Sequence, residues 1–291
     1  MRILIVGGSG FLGAELVRLC AERGHDVGAT HLSRPGGHPR AEWLPMDVRS
    51  RDDVLSVLGA FRPEVTINAA YRQADWATTA DGAAHVAAAV ARAGGRLVHV
   101  SSDAVFSGDA PRYDETCPPD PVTPYGAAKA AAETAVRALL PRSAIARTSL
   151  IIGDGGSPHE ALVRSLASRS GHAAQPGGAG ASGPVLFTDD VRCPVHVGDL
   201  AAALLEVAVR GLSGVRHVAG ADALTRYELG VLIARRDGLD PARLPSGRRA
   251  DAGVPGPLEV RLDCTATQRH LTTRLRGTTR LRGAREFLTP A

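Results

Sequence analysis

Two hydrophobic periods alternate along the first half of the chain. Short apolar runs, of which Ile3-Leu4-Ile5-Val6 is the first, are separated by stretches whose apolar residues recur at helical spacing. A run of four to six apolar residues bounded by turn residues reads as a buried strand, and a period of 3.6 reads as an amphipathic helix. The pattern predicts strands at 2–6, 26–30, 64–68, 96–100 and 143–147, with a weaker one at 42–46. It predicts helices at 11–23, 51–60, 80–93 and 124–140. The last helix has defined ends: Thr123 can cap it, Pro124 suits its first position and Pro141 stops it. Strands alternating with helices imply an α/β architecture built on a doubly wound parallel sheet.

After residue 150 the pattern changes. A helix is expected at 159–168, a loop rich in Gly, Ala, Ser and Pro at 173–184, a strand near 193–197, a helix at 198–210, a strand near 215–219 and a helix at 225–237. The division expected is 1–150 as one domain and 151–291 as a smaller lobe over the carboxyl edge of the sheet, with 193–210 returning to the first domain. The glycine-rich loop carries no apolar anchor and is expected to act as a lid. In the tail, Thr272-Thr273-Arg274-Leu275-Arg276-Gly277 recurs letter for letter at 278–283, too short a unit for a structural repeat.

Composition narrows the class. No stretch approaches the length of an apolar membrane span, and no signal-peptide pattern precedes the first strand. Cys20, Cys117, Cys193 and Cys264 are far apart and lack metal-ligand spacing, so free thiols, no metal site and a cytoplasmic location are expected. The net charge is +4 with aromatic residues at 4%. The arginines are scattered and not interleaved with stacking residues, which argues against nucleic acid as a partner.

The segment Gly7-Gly8-Ser9-Gly10-Phe11-Leu12-Gly13 joins the first strand to the first helix. Glycines at 7, 10 and 13 permit a tight turn, close approach of a pyrophosphate and close helix–strand contact, with the helix N-terminus facing the phosphates. This is the signature of an NAD(P)-binding Rossmann fold. An acidic residue at the end of the second strand would bind the adenosine ribose. Thr30-His31-Leu32-Ser33-Arg34 has none, and Arg34 can pair with a 2′-phosphate, so NADP(H) is preferred over NAD(H). The expected cofactor contacts are Gly7, Ser9, Gly10, Phe11, Leu12 and Gly13 in the turn, then His31, Ser33 and Arg34. Asp47 and Val48 suit the adenine edge, and Ala69, Ala70 and Tyr71 follow the fourth strand. Ser101, Tyr125 and Lys129 complete the set.

The candidate chemistry lies at Ser102, Tyr125 and Lys129. Tyr125 and Lys129 are four apart and share a helix face. Ser102 follows the fifth strand at the carboxyl edge. A phenol with a pKa near 10 is a poor proton relay at neutral pH, and a neighbouring ammonium and an oxidised nicotinamide are both expected to lower it. The serine hydroxyl can orient a substrate carbonyl. Lys129 is the one lysine among 34 lysines and arginines. A guanidinium is no substitute for its compact charge.

Together these residues resemble the extended short-chain dehydrogenase/reductase family, with its GxxGxxG turn and YxxxK pair. Ser101 through Gly108, Pro121 through Lys129, Arg147-Thr148-Ser149 and Leu262-Asp263 are similar to the dTDP-4-dehydrorhamnose reductases within it. The resemblance implies a reductase of a carbonyl on a small molecule, the 4-keto group of a nucleotide-activated deoxysugar, with a homodimer compatible with it. Asp103, Val105, Leu150, Arg192 and His196 are the expected substrate contacts. Leu150 stands where that subfamily usually has an aromatic residue. Asp189 through Val197, Gly220 through Tyr227 and Arg261 through Cys264 are instead similar to the regulatory beta subunit of methionine adenosyltransferase, which leaves a noncatalytic NADP-binding regulator as an alternative. A sugar-nucleotide epimerase or dehydratase is a third reading, with Asp103 the nearby candidate acid.

Overall fold

The computed structural model describes residues 1–168, 184–253, 255–271 and 281–289. The expected lid at 173–184, apart from Pro184, lies outside the described residues, as does most of the 272–283 duplication. The strands in chain order are β1 (Arg2–Val6), β2 (Asp26–His31), β3 (Ala41–Pro45), β4 (Val65–Asn68), β5 (Arg96–Ser102) and β6 (Ala144–Thr148). Short ones follow: β7 (Ile151–Ile152), β8 (Leu186–Phe187), β9 (Val191–Arg192), β10 (Val195–His196), β11 (Gly214–His217), β12 (Leu224–Thr225) and β13 (Ser246–Gly247). The helices that matter are α1 (Phe11–Glu22), α2 (Arg51–Phe61), α3 (Gly82–Ala93), α4 (Pro124–Leu139), α5 (Pro158–Ser168), α6 (Val197–Arg210) and α7 (Arg226–Arg236).

Seven strands form one parallel sheet in the order β11-β6-β5-β4-β1-β2-β3. The chain reverses direction across the sheet after β3, so a crevice opens at the carboxyl ends of β1 and β4, where such sheets hold ligands. Helices α1 and α6 cover one face through Leu12, Leu16, Val17, Leu200 and Leu204. Helices α2, α3 and α4 cover the other through Val54, Leu58, Val86, Val90, Ala132 and Val136. The residues after 150 are therefore divided. Helix α6 and β11 belong to the sheet, while α5 and α7 bury Val163, Leu166, Leu229 and Ile233 in a core of their own. Among the described residues no helix is long and apolar enough to cross a membrane. All four cysteines are free thiols.

Local chemistry explains the ends of the elements. Ser50 caps α2 by accepting from the Asp53 amide, with Asp52 and Asp53 in the first turn, where acids complement the exposed amides. Thr123 caps α4 by accepting from Gly126 N at 3.0 Å, with Pro124 at the first position. A capping box, Thr225 with Glu228, starts α7. The helix expected at 80–93 begins earlier, with a π-helical turn at Ala77–Asp81 running into α3. That wider turn follows a loop fixed by reciprocal bonds between the Thr79 hydroxyl and the Arg72 backbone.

Helix α4 lies close against the turn that ends β5. A β-carbon on Gly126 would stand 2.1 Å from the Ala104 carbonyl oxygen, so only glycine lets α4 approach this far. Gly126→Ala is expected to destabilise the fold by about 1–3 kcal/mol, the usual cost of overpacking. Urea denaturation measures this, and an unchanged midpoint would contradict it.

Candidate active site

The glycine turn is built as a phosphate cradle. Gly7 has φ +81° and its amide donates to the Thr30 hydroxyl at 3.0 Å. Gly10 N donates to Gly7 O, and a β-carbon on Gly13 would meet that same oxygen at 2.0 Å. On the other side, a β-carbon on Gly7 would touch the Ala70 backbone at 2.9 Å. The N-terminus of α1 carries no side-chain cap, which leaves first-turn amides for an anionic oxygen. Ser9 and Gly10 are exposed there, while Leu12 is turned into the core beneath. Phe11 lies under a loop from the later part of the chain: β-carbons on Gly153 and Gly156 would meet its ring at 2.6 and 3.2 Å. Glu160, fully buried, stiffens that loop by accepting from the amides of Gly153, Gly155 and Ser157 and from Arg236.

Arg34 and Ser33 are exposed beyond β2, and the His31 ring leans on Trp43 at 6.5 Å. Asp47 is gripped by Arg49, whose guanidinium holds the carboxyl below its usual range. Val48 is buried, its carbonyl bonded to His85. Uncapped amides, a glycine cradle and an exposed guanidinium form a donor set that fits a dinucleotide carrying an extra phosphate.

Three elements bring the chemical groups together. Strand β5 ends at Ser102, which caps the short turn Asp103–Val105 by accepting from the Ala104 amide. Helix α4 presents Tyr125 and Lys129, and the loop after β4 presents Tyr71. The Lys129 ammonium is buried and donates to the Val100 carbonyl at 2.9 Å. It sits 5.3 Å from the centre of the Tyr71 ring, itself 6.0 Å from the ring of Tyr125. Burial pushes Lys129 down to about 8, against the opposing pull of Glu133. Tyr125 is pushed above its ordinary value, first by burial and then by Tyr71, while a hydrogen bond with Ser102 acts the other way. The downward shift expected from Lys129 is not realised here. The ammonium is directed at a backbone carbonyl, and the neighbouring carboxylate of Asp103 favours the neutral phenol.

The other expected contacts divide. Asp103 accepts from Ser149 at 2.6 Å and from Ser102 at 3.3 Å, and lies 3.7 Å from Arg192. Arg192 is only 4% exposed. Its donors go to Asp190 and to the carbonyls of Val191, Pro257 and Leu258, so it ties those segments to Asp103 and does not face the crevice. Val105 is turned fully inward against Phe106 because the short turn after β5 rotates it away from the edge. The Ser101 hydroxyl is likewise buried and donates to Glu133. His196 caps α6 by accepting from Gly198 N, and its other nitrogen lies 3.4 Å from Asp154. Leu150 is half-buried against the α5–α7 core.

Sequence reasoning missed a buried cluster around Asp190. Asp190, fully buried, is shared by Arg192, Arg226 and Arg249. Arg226 also donates to His159 at 2.8 Å, and burial together with that guanidinium drives His159 down to about 3. Arg147 and Glu133 form a second buried pair beneath Lys129. The spacing of 129 to 133 could have revealed Glu133; nothing in the local sequence marks Asp190.

A family model described as RmlD substrate binding domain matches residues 1–280. The dTDP-4-dehydrorhamnose reductase of Mycobacterium tuberculosis is 33% identical over 274 residues, covering 88% of this chain and 82% of that protein. A probable dTDP-4,6-dihydroxy-2-methyloxan-3-one 4-ketoreductase of Streptomyces antibioticus is 34% identical over 271 residues, covering 88% and 84%. Among solved structures, the dTDP-4-dehydrorhamnose reductase of Bacillus anthracis in complex with NADP superposes with a TM-score of 0.79 at 23% identity, covering 99% and 96% of the two chains.

The buried ammonium has a consequence for stability. Lys129 moves from 10.5 to about 8 on folding, so below pH 8 the native state carries a desolvated charge costing on the order of 3 kcal/mol. Between pH 8 and 10.5 the unfolded chain binds more protons than the native one, so stability rises with pH through that window. Lys129→Met should therefore unfold at higher urea than wild type at pH 7, with the advantage shrinking above pH 8. A variant less stable at pH 7, or an advantage independent of pH, would contradict the assignment.

Proposed function

We propose that this chain, which belongs to the RmlD substrate binding domain family, is an NADPH-dependent reductase of the 4-keto group of a dTDP-deoxysugar. The observation that carries the proposal is the meeting of Ser102, Tyr125 and Lys129 at the carboxyl edge beside an uncapped glycine turn. The names of the relatives support the substrate class. So does the Asp190 cluster, where Arg192, Arg226 and Arg249 face the carboxylates of Asp103 and Asp190 and His159 is neutral; the one cation in excess suits the diphosphate of a sugar nucleotide. On this reading the residues after 150 that stand apart from the sheet form the substrate lobe.

Bound NADPH supplies the hydride that adds to the carbonyl carbon. Ser102 donates a hydrogen bond to the carbonyl oxygen and so orients it. Tyr125 gives that oxygen its phenolic proton as negative charge develops there. Burial, which keeps the proton on Tyr125 at neutral pH, suits a donor. Lys129 holds a ribose hydroxyl of the cofactor. Asp103 is held by Ser149 and Arg192 and takes the single Ser102 proton, which turns to the carbonyl oxygen when a substrate enters. Phe11, Ala69, Ala70 and the cradle glycines shape the dinucleotide site, and Arg34 takes the 2′-phosphate that distinguishes NADP(H) from NAD(H).

Tyr125→Phe keeps the ring and removes the proton. It should bind NADPH normally and reduce a dTDP-4-keto-6-deoxysugar about 100- to 10,000-fold more slowly than wild type. NADPH oxidation followed by absorbance tests this; equal rates, or no turnover by wild type across a panel of such sugars, would overturn the proposal. Arg34→Ala should weaken NADPH roughly tenfold and leave NADH unchanged, the loss of one charge-assisted contact. Titration with both cofactors checks it, and equal losses for the two would show that Arg34 does not read the phosphate.

A further inference from the structure

We propose that Glu133 is a positioning residue for Lys129, a fixed buried anion one helical turn along α4 that keeps the ammonium charged where α4 meets the end of β5. The proposal rests on the reading of Lys129 as the cofactor-holding cation.

The geometry leaves Glu133 no freedom. Its carboxylate is 1% exposed. Arg147 on β6 reaches it with Nε at 3.0 Å and Nη2 at 2.8 Å, and Ser101 on β5 donates to it at 2.6 Å. Arg147 is itself held by the Cys117 carbonyl at 2.9 Å and lies 4.9 Å above the Phe106 ring. The carboxylate is thus pinned from two neighbouring strands while projecting from the helix that carries Tyr125 and Lys129. Residues four apart on a helix lie on one face.

The surroundings of Lys129 show why an anion is needed. From α4 it is faced by Tyr125 and Glu133, and from the loop after β4 by Tyr71. On β5 it has the Val100 carbonyl and His99, which burial, followed by Lys129 itself, pushes down to about 3 and so leaves neutral. Arg147 lies beyond Glu133 and adds positive charge to the same buried block. Beside the Val100 carbonyl and the Tyr71 ring, Glu133 is the group in this set whose negative charge favours the ammonium against desolvation. A buried ion pair is a poor source of net stability, and well-packed apolar residues would fill the space as well. The pair therefore has its use in the charge it presents to Lys129.

Lys129 is the one lysine in the chain. Labelling with lysine carrying ¹³C at Cε gives a single resonance, and its titration reads the ammonium directly with no cofactor or substrate present. The wild-type midpoint is expected near 8. Glu133→Gln should lower it by about one pH unit or more. The double variant Glu133→Gln/Arg147→Met leaves no orphaned guanidinium and should also titrate below wild type. Glu133→Asp, which keeps the charge, should return it toward the wild-type value. A merely loosened core would admit water and move every variant the other way, up toward the 10.5 of an ordinary lysine. The affinity for NADPH, measured across pH on the same proteins, should fall at the same midpoints. Unchanged or raised midpoints in both Gln variants would overturn the proposal. A wild type that titrates as expected but binds no NADPH would sink the cofactor reading and leave this inference standing.

Discussion

The arrangement depends on one desolvated ammonium. Lys129 lies where α4 crosses the end of β5, donating to the Val100 carbonyl. For that contact to form, α4 must approach β5 closely, which Gly126 permits, and must enter at a set angle, which Thr123 and Pro124 supply. Once α4 is docked in this way, Tyr125 has no choice of position: it stands one turn before Lys129, beside Ser102 and Tyr71. Desolvation of the ammonium opposes folding. A site held on rigid elements at the expense of stability is the usual compromise of catalytic machinery.

The later part of the chain is tied to the same strand end by polar contacts. Ser149 bridges Asp103 and the Cys193 amide, and Arg192 joins Asp103 to Asp190. A continuous run of buried polar groups thus leads from Ser102 to Arg226. Between Asp103, Arg192, Asp190 and Arg226 the links are ion pairs at 3.7, 2.9 and 3.4 Å, and Asp190 Oδ1 and Arg226 Nε have no hydrogen-bond partner, so charge attraction holds this part of the run together. On the opposite side the stiffened loop over Phe11 links α5 and α7 to the glycine turn. The crevice between cofactor turn and catalytic helix therefore has walls from both parts of the chain.

The elements with local signals were legible in the sequence. The apolar run of β1, the glycine turn and the capped start of α4 each carry their own chemistry within a few residues, and each is found as expected. Strand β11 is different: a strand was expected near 215–219, but nothing in Gly214–His217 marks its place at the outer edge of the sheet beside β6. Side-chain direction was the least legible feature. Val105 and Arg192 belong to segments with the right resemblance, yet one turns into the core and the other is consumed by internal partners, because tertiary contacts decide orientation. The Glu133–Arg147 pair joins residues fourteen apart on a helix and a strand, and only the docked fold reveals it. The pKa of Tyr125 was misjudged for the same reason. Helical spacing brings Lys129 near, but burial, and after it Tyr71, determine the sign.

The central claim is that a hydride passes from the cofactor to a sugar carbonyl at the Ser102–Tyr125–Lys129 edge. Its most direct test uses NADPH carrying deuterium at both positions of nicotinamide C4, incubated with wild type and a dTDP-4-keto-6-deoxysugar, with the product read by mass spectrometry and NMR. One deuterium is expected in the product, bonded to C4 of the sugar. Product without the label at C4, or a chain that binds NADPH and the sugar nucleotide together yet transfers no deuterium, would contradict it.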